Sequence, residues 1–208
     1  MTRLVKTLTF VLPLLLAAAC ANPASDRPRA VTNEAATLAS APVGGEKYFI
    51  TPENSKIEFI GSKVTGSHNG SFGKFSGAID YLGQPEKSRV TIGIDLDSLT
   101  VDEPKLTAHL KTADFFDVAK YPKATFESTE IRSGGNQGTH TITGNLNLHG
   151  VTKSITFPAT IAVTAGAITV DSTFALNRKD FGINYAGAAD NLIRDEVLLT
   201  LRVRAVKS

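Results

Sequence analysis

The sequence has few of the residues on which several classes of protein depend. Among its 208 residues there is one cysteine and no tryptophan. With a single cysteine no internal disulfide can form, and a metal site built of cysteines is excluded. Lysine and arginine number 22 against 20 aspartates and glutamates, and they form no basic stripe. A chain of this charge lacks the electrostatic basis for binding nucleic acid.

One apolar run stands out, and it lies near the N-terminus at residues 8–16. Arg3 and Lys6 precede the run, and three alanines at 17–19 follow it. It is too short to span a bilayer as a mature helix. A basic start, an apolar middle and small residues at the end are typical of a secretory signal peptide, which we predict over residues 1–19. The rest of the chain is therefore expected to leave the cytosol.

The only cysteine, Cys20, directly follows this predicted signal peptide. Its setting, LAAAC at 16–20, resembles a bacterial lipobox, which implies that the thiol is diacylated and becomes the mature N-terminus. Ala21 rather than aspartate follows, and by resemblance to sorting rules in Gram-negative bacteria this favours the outer membrane. We expect a periplasmic protein that is anchored to the outer membrane through Cys20. The alternative is an ordinary signal peptide cut near Ala19 or Ala21, with the cysteine incidental.

The stretch that follows has the composition of a linker. Residues 20–46 consist mainly of Ala, Pro, Ser, Thr and Asn, with few large apolar side chains. Such a segment cannot bury enough apolar surface to offset the entropy of ordering it. We therefore predict a flexible tether over residues 20–46 and a folded domain over residues 47–208.

In the domain, apolar and polar residues alternate with the period of two that strands require. The clearest case has Val90, Ile92, Ile94 and Leu96 on one face, with polar residues or glycine between them. About eight such segments follow one another, and no helix alternates with them. We therefore predict an all-β fold, an antiparallel β-barrel of about eight strands, because closure removes exposed edges. A barrel of this size either fills with side chains or holds one small ligand.

The strand pattern breaks between residues 107 and 126. Leu106 and Leu110 fall at helical spacing, and Phe115 and Phe116 follow as an adjacent apolar pair. We predict a short helical insertion near one end of the barrel, with both rings pointing inward. One interpretation is a plug that closes a filled core, and the other is a lid over a cavity.

Several short strings are spread in order over nearly the whole domain. They are IEF at 57–59, GSFGKFSG at 70–77, HL at 109–110, DFFDV at 114–118, YP at 121–122, GNLNLHGVTK at 144–153 and NRKDFGI at 177–183. As a set they resemble the YceI-like family, the lipocalin-shaped polyisoprenoid-binding proteins of bacterial periplasms. The resemblance implies a lipocalin-like barrel whose apolar tunnel holds the tail of an isoprenoid or quinone-like lipid. It implies no catalysis and no cofactor apart from that lipid, and it points to a homodimer.

Such a tunnel takes its wall from the apolar residues of the strands and of the insertion. Eleven phenylalanines and no tryptophan suit a bulky, non-polar wall. The residues predicted to contact the lipid are Phe59, Phe75, Ile79, Ile92, Ile94, Leu110, Phe115, Phe116, Phe126, Leu146, Leu148, Phe174 and Phe181.

Other chemistry has little support in the sequence. None of the four histidines pairs with another at a metal-ligand spacing such as i, i+4, and no Gly-x-Ser-x-Gly nucleophile motif occurs. Arg178 and Asp180 are expected to form a buried ion pair that shapes the barrel rim. Two further functions stay open: a hydrolase or isomerase of a lipophilic substrate, motivated by His109 and His149, and an envelope stress protein whose filled barrel acts through surface partners.

Overall fold

Strands account for most of the chain in the computed structural model, which describes residues 22–38, 44–135, 137–189 and 191–207. In chain order the elements are β1 (Val31–Glu34), β2 (Glu46–Ile50), β3 (Lys56–Lys63), β4 (Gly66–Phe72), β5 (Phe75–Tyr81), β6 (Arg89–Asp95), β7 (Leu99–Val101), α1 (Pro104–Leu110), β8 (Lys123–Ser133), β9 (His140–Leu148), β10 (Val151–Val163), β11 (Ala167–Asn177), β12 (Gly187–Ala188), β13 (Asn191–Leu192) and β14 (Glu196–Lys207). Short 3-10 turns lie at Pro85–Lys87, Leu96–Ser98 and Arg178–Phe181.

Eight of these strands close on themselves to form an antiparallel barrel. Hydrogen bonds connect them in the order β2, β5, β6, β8, β9, β10, β11 and β14, and β14 pairs again with β2. Successive side chains of a strand point to opposite faces, which is why segments of period two form the wall. The prediction of an all-β, eight-stranded antiparallel barrel with a short helix is confirmed.

The barrel has two unlike ends. At the first end, β3 prolongs β2, β4 leads into β5, and β7 follows β6, so that the wall extends further. The β3–β4 hairpin, α1 and the β11–β14 connection meet there, and we call this the mouth end. At the other end the β5–β6, β8–β9 and β10–β11 connections come together. We call it the packed end, because the interior is filled there by buried Tyr48, Ile131, Ala159, Ile168 and Ala205.

The helical insertion lies at the mouth end, but its bounds differ from the prediction. The helix runs from Pro104 to Leu110 rather than from residue 107, because proline has the fixed φ that suits a first helical position. After Leu110 the chain turns back, and the Phe116 N–H donates to the Leu110 carbonyl (N···O 3.1 Å). Residues 111–122 contain turns but no further helix. Within the described ranges, no helix has the length and apolar character needed to cross a membrane.

A segment that was predicted to be part of a flexible tether belongs to the barrel wall. β10 and β11 pair with each other only near the packed end, through residues 160–163 of β10. Toward the mouth end β1 fills the seam between them, pairing with residues 153–156 of β10. On the β11 side the Ala30 N–H donates to the Ala175 carbonyl, and the Ala175 N–H donates to the Pro28 carbonyl, both with N···O distances of 2.8 Å.

Further contacts hold this N-terminal segment in place. Ala24 is 1% exposed, and Arg29 Nε lies 2.9 Å from a carboxylate oxygen of Glu196. Backbone N–H and C=O groups without partners are costly, so the open edges of β10 and β11 favour a strand between them. The prediction of a flexible tether therefore does not hold for residues 22–34. The predicted signal peptide and Cys20 lie outside the described residues.

Candidate ligand-binding cavity

A cavity of about 470 Å³ opens at the mouth end and continues into the barrel. This volume falls within the roughly 300–1,000 Å³ typical of small-molecule sites. β14 illustrates how the sequence builds the cavity, because Val197, Leu199, Leu201 and Val203 alternate along the strand and all four line it. Six residue steps along a strand correspond to about 20 Å. The cavity is therefore elongated along the barrel.

Below the mouth, all the described side chains at the cavity surface are apolar. Aromatic rings form part of this wall, and Phe157 stacks on Phe174 with ring centroids 4.4 Å apart. Gly70 leaves room for the ring of Phe59, because a Cβ at position 70 would lie 2.2 Å from that ring. A larger residue at 70 would displace that ring. The glycine therefore allows the ring to lie against the neighbouring strand.

Eleven of the thirteen residues predicted to contact lipid line this cavity. They come from the strands and from the helical insertion, and the fold brings them together although they are far apart in the chain. They are Phe59, Ile79, Ile92, Ile94, Leu110, Phe115, Phe116, Phe126, Leu146, Leu148 and Phe174. Their contact with a ligand stays a prediction.

The other two predicted residues, Phe75 and Phe181, do not line the cavity, and the prediction is wrong for both. Phe75 is buried in the hydrophobic core at the start of β5, opposite Ile94. Phe181 is 0% exposed and lies in the 3-10 turn after β11, where its carbonyl accepts a hydrogen bond from His149 Nδ1 at 3.1 Å. Phe75 faces inward like its partner Ile94, but it is packed among core residues and does not reach the open space. Phe181 follows the end of β11, where the alternation of side chains no longer gives a direction.

Phe115 and Phe116 both lie over the cavity. The ring of Phe115 has centroid distances of 5.1 Å to His109 and 5.1 Å to Tyr185. Phe116 meets Phe72 edge-on at 6.2 Å. Both phenylalanines line the space beneath them. Of the two interpretations of the insertion, the geometry therefore favours the lid.

Polar side chains reach the cavity only at its mouth, as far as the described residues extend. His68 Nδ1 lies 2.8 Å from Asp102 Oδ1, and His109 Nε2 lies 2.8 Å from Asp114 Oδ2. The Asn69 N–H donates to Asp102, and this bond together with His68 holds the pKa of that carboxyl below its ordinary value. The other polar side chains of the rim are Ser62, Lys63, Glu103, Arg178, Tyr185 and Asn191.

Arg178 is a buried cation of the rim. Its guanidinium donates to the carbonyls of Ile183 at 2.6 Å and Arg194 at 3.1 Å, and it lies 3.5 Å from Asp195. Burial lowers the pKa of Arg178, while Asp195 acts in the opposite direction. The expected ion pair with Asp180 is wrong, because the β11–β14 connection folds back and brings Asp195 to the arginine. Arg178 thus holds this connection against the barrel.

Many residues of the wall were not among those predicted. Most lie on the inward faces of strands whose alternation is visible in the sequence, so applying the period of two to every strand would have found them. They are Ile57, Phe72, Val90, Leu96, Val101, Leu106, Ala124, Ile142, Ile155, Phe157, Val170, Leu176, Ile183, Ile193, Val197, Leu199, Leu201 and Val203. The polar residues of the rim carry no comparable local signal, since only the tertiary fold gathers them.

The histidines have local partners. His149 lies in the β9–β10 turn with a φ of 53° and donates to the Phe181 carbonyl, while His140 Nδ1 lies 2.7 Å from the Thr139 hydroxyl. Among the described residues, no three His, Cys, Asp or Glu side chains are grouped so that they could hold a metal ion. The geometry here is that of a binding cavity with a polar opening.

The fold and the cavity define a class of protein, a lipocalin-like antiparallel β-barrel with an elongated apolar interior that opens at one end. Within this class the chain belongs to the YceI-like domain family, which matches residues 48–205. The resemblance stated from the short sequence strings is thereby confirmed.

Several relatives and solved structures are similar to this chain. A UPF0312 protein of Pseudomonas putida (strain W619) is 36% identical over 135 residues, which are 60% of this chain and 68% of that protein. The crystal structure of BcnA from Burkholderia cenocepacia superposes with a TM-score of 0.65 at 24% identity, covering 76% of this chain and 99% of the other. A polyisoprenoid binding domain from Saccharophagus degradans superposes with a TM-score of 0.63 at 18% identity, covering 79% and 100%. At these identities the two structures support the fold.

Proposed function

We propose that the protein binds an isoprenoid or quinone-like lipid and carries it without chemical change. The observation behind this proposal is the apolar lining of the cavity below a polar rim. An amphiphile matches this arrangement, with its tail in the barrel and its head near Lys63, Glu103 and His109. The fold shared with the polyisoprenoid binding domain from Saccharophagus degradans supports this class of ligand.

The energetics of such a ligand fit a wall without hydrogen-bonding groups. Each methylene removed from water contributes about 0.8 kcal/mol, so several isoprene units bind without any polar contact to the tail. The entropy that a flexible tail loses when it leaves the membrane and becomes ordered in the cavity offsets much of this sum. Affinity should therefore depend on the length of the tail inside the cavity, while the rim discriminates between heads.

The location of polar groups supports binding rather than catalysis. All the titratable side chains lining the cavity within the described ranges belong to the rim. His109, which motivated an enzymatic alternative, is paired with Asp114 and contacts the rings of Phe115 and Tyr185. His149 does not line the cavity and bonds a backbone carbonyl. The alternative of a filled barrel does not agree with a cavity of about 470 Å³.

Titration with lipids of graded length tests the proposed function. The purified protein, stripped of lipid with detergent, would be titrated by calorimetry with isoprenoid alcohols of increasing tail length. Affinity is expected to rise with each isoprene unit and to level off once the tail fills the cavity. Straight-chain alcohols of matched length serve as the control for tail shape. Absence of binding at every length, with the circular dichroism of a folded barrel, would contradict the proposal.

We further propose that Cys20 is acylated and that the protein acts in the periplasm from an anchor in the outer membrane. The lipobox-like string at 16–20 supports this location. Cys20→Ser should move the protein from the membrane fraction to the soluble periplasm, as measured by fractionation and immunoblotting. A Ser25→Ala variant should stay with the membrane. A wild-type protein that is already soluble, or a Cys20→Ser variant that stays in the membrane, would exclude the anchor.

A further inference from the structure

Three exposed apolar side chains surround the mouth of the cavity. Val64, in the turn between β3 and β4, and Leu192, in β13, are each 49% exposed, and Tyr185 is 37% exposed. The first two positions adjoin, because the Val64 N–H donates to the Leu192 carbonyl (N···O 3.2 Å). Lys63 and Ile193 form a β-bridge beside them. Val64 and Leu192, which are far apart in the chain, thus form one exposed apolar surface, which we call the apolar tip.

The apolar tip is continuous with the cavity opening. Lys63, Asn191 and Ile193, the chain neighbours of Val64 and Leu192, line the cavity. The apolar tip therefore lies at the edge of the opening through which an apolar molecule would leave the barrel. Scattered single apolar side chains need no explanation, but a group of them that borders a binding site is typical of a docking contact.

The N-terminal segment begins at the same end of the barrel. Asn22 lies in a cleft whose lining includes Lys179 and Arg194. This cleft adjoins the cavity mouth, because Arg178 and Ile193 line both of them. From there the segment runs along the wall and fills the seam between β10 and β11. The burial of Ala24 and the hydrogen bond from the Ala30 N–H to the Ala175 carbonyl hold the start of this segment at the mouth end.

The position of Asn22 limits where an anchor can attach. Cys20 is two positions earlier in the chain, and two residues of extended chain span at most about 7 Å. Asn22 shares its cleft with Arg178 and Asp195, which both belong to the mouth end. A lipid on Cys20 would therefore hold the mouth end at a bilayer.

The charges around the mouth indicate which kind of surface fits it. Lys63 and Arg178 line the cavity mouth together with Glu103, and Asp195 lies 3.5 Å from Arg178, so cations and anions are mixed. Such a rim has none of the polybasic character that attracts anionic headgroups. Association would depend on apolar side chains that enter the boundary between headgroups and acyl chains. The fitting partner is a lipid surface with no requirement for net charge.

We propose that the mouth end docks on a lipid bilayer, with Val64 and Leu192 inserted among the headgroups and the cavity opening toward the acyl chains. This inference rests on the proposed function, because it names the membrane as the source and destination of the bound lipid. A tail then passes between bilayer and barrel without crossing water. The N-terminal segment and the apolar tip act together, the first by orienting the barrel and the second by making the contact.

Depth-dependent quenching at single labelled positions tests the docking. Val64→Cys and Leu192→Cys would each carry a bimane fluorophore, and Val163→Cys at the packed end, where the native residue is also exposed, is the matched control. Wild type reports any background from Cys20. The proteins are combined with vesicles of phosphatidylethanolamine and phosphatidylcholine whose acyl chains carry a nitroxide. Quenching at positions 64 and 192 should exceed that at 163 several-fold and change little with salt.

The outcomes separate docking from lipid binding when native mass spectrometry of the same samples is added. Equal quenching at all three positions, or none at 64 and 192, would overturn the docking even if lipid is found in the cavity. Quenching at 64 and 192 in a protein that never carries lipid would support docking and contradict the proposed function instead.

Lipid delivery gives a second, independent readout of the same contact. A Val64→Asp/Leu192→Asp variant should transfer a fluorescent isoprenoid to acceptor vesicles on the order of tenfold more slowly, because charged tips do not enter the bilayer. Val163→Asp should transfer at the wild-type rate. Unchanged transfer by the double variant, at unchanged lipid loading, would show that the apolar tip is not the membrane contact.

Discussion

At both ends of the barrel apolar side chains alternate along the strands and point inward, but the interior is filled at one end and open at the other. At the packed end Ile168 and Ala205 are buried among their neighbours, while toward the mouth end Ile94 and Leu201 line an open cavity. Inward-facing apolar side chains occupy both ends, so their pattern does not make the difference. The wall itself differs, because β3, β4 and β7 extend it at the mouth end and add Phe59, Phe72 and Val101 to the lining of the cavity.

The largest effect on stability is expected at the packed end. Ile168→Ala should lower the free energy of unfolding by about 2–5 kcal/mol, because it leaves a cavity in a filled region. The loss should be the same with and without lipid, as measured by urea denaturation. Val163→Ala, at an exposed position of the same hairpin, is the control and should change little. A loss that lipid reverses would mean that Ile168 also borders the ligand.

At the mouth, substitutions of Phe115 and Phe116 should differ in how much they lower the stability of the fold and the affinity for lipid. We expect Phe115→Ala to lower the free energy of unfolding by about 3 kcal/mol, since this ring is buried against His109 and Tyr185. Phe116→Ala should cost less, because the half-buried ring has fewer neighbours to lose. Its lipid affinity should fall more, since bound lipid supplies part of its packing. Melting temperatures with and without lipid measure this difference, and equal losses in both states would indicate a plug.

Filling the cavity should abolish binding at little cost to the fold. Ile94→Trp puts an indole ring into open space. It should therefore change the free energy of unfolding by less than the roughly 1–3 kcal/mol that overpacking a filled core costs. Thr125→Trp, on the outward face of the adjacent strand, is the matched control and should bind lipid normally. Unfolding of Ile94→Trp would show that position 94 belongs to a packed region.

The smallest effect concerns pH and the rim. The Asn69 N–H and His68 hold the pKa of Asp102 below its ordinary value. Such a carboxylate adds stability above its unfolded pKa, and this contribution is lost as the pH falls through the folded value. Wild type should therefore lose a little stability below about pH 4, and Asp102→Asn should lose less over this range. Denaturation at about pH 6 and about pH 3 compares them, and identical pH profiles would contradict the role of Asp102.

The strand pattern was sufficient to predict the barrel and most of the candidate site. Alternation along β6 identified Ile92 and Ile94 as inward-facing, and the same rule applies to β14. It was not sufficient at Phe75, which faces inward opposite Ile94 but is packed in the core. It also failed at Phe181, which follows the end of β11, where the direction of a side chain depends on the local backbone. The hydrophobic pattern marks which face is buried. It does not say whether packing fills the space that this face encloses.

The N-terminal segment and the rim were beyond prediction for another reason. Residues 22–34 have no apolar period, and their order arises from the edges that β10 and β11 do not pair with each other toward the mouth end. Arg178 meets Asp195 rather than Asp180 because a long connection folds back at the mouth. In both cases the partner is created by tertiary structure, and nothing in the local sequence identifies it.

Native mass spectrometry of the protein, purified gently from the membranes of cells that produce it, tests the central claim most directly. The account predicts a second mass above that of the protein, which dissociates as a single isoprenoid or quinone-like lipid. The same mass should be absent from Ile94→Trp and present in Thr125→Trp. A wild-type protein that is free of lipid, and stays so after incubation with isoprenoid vesicles, would contradict the account.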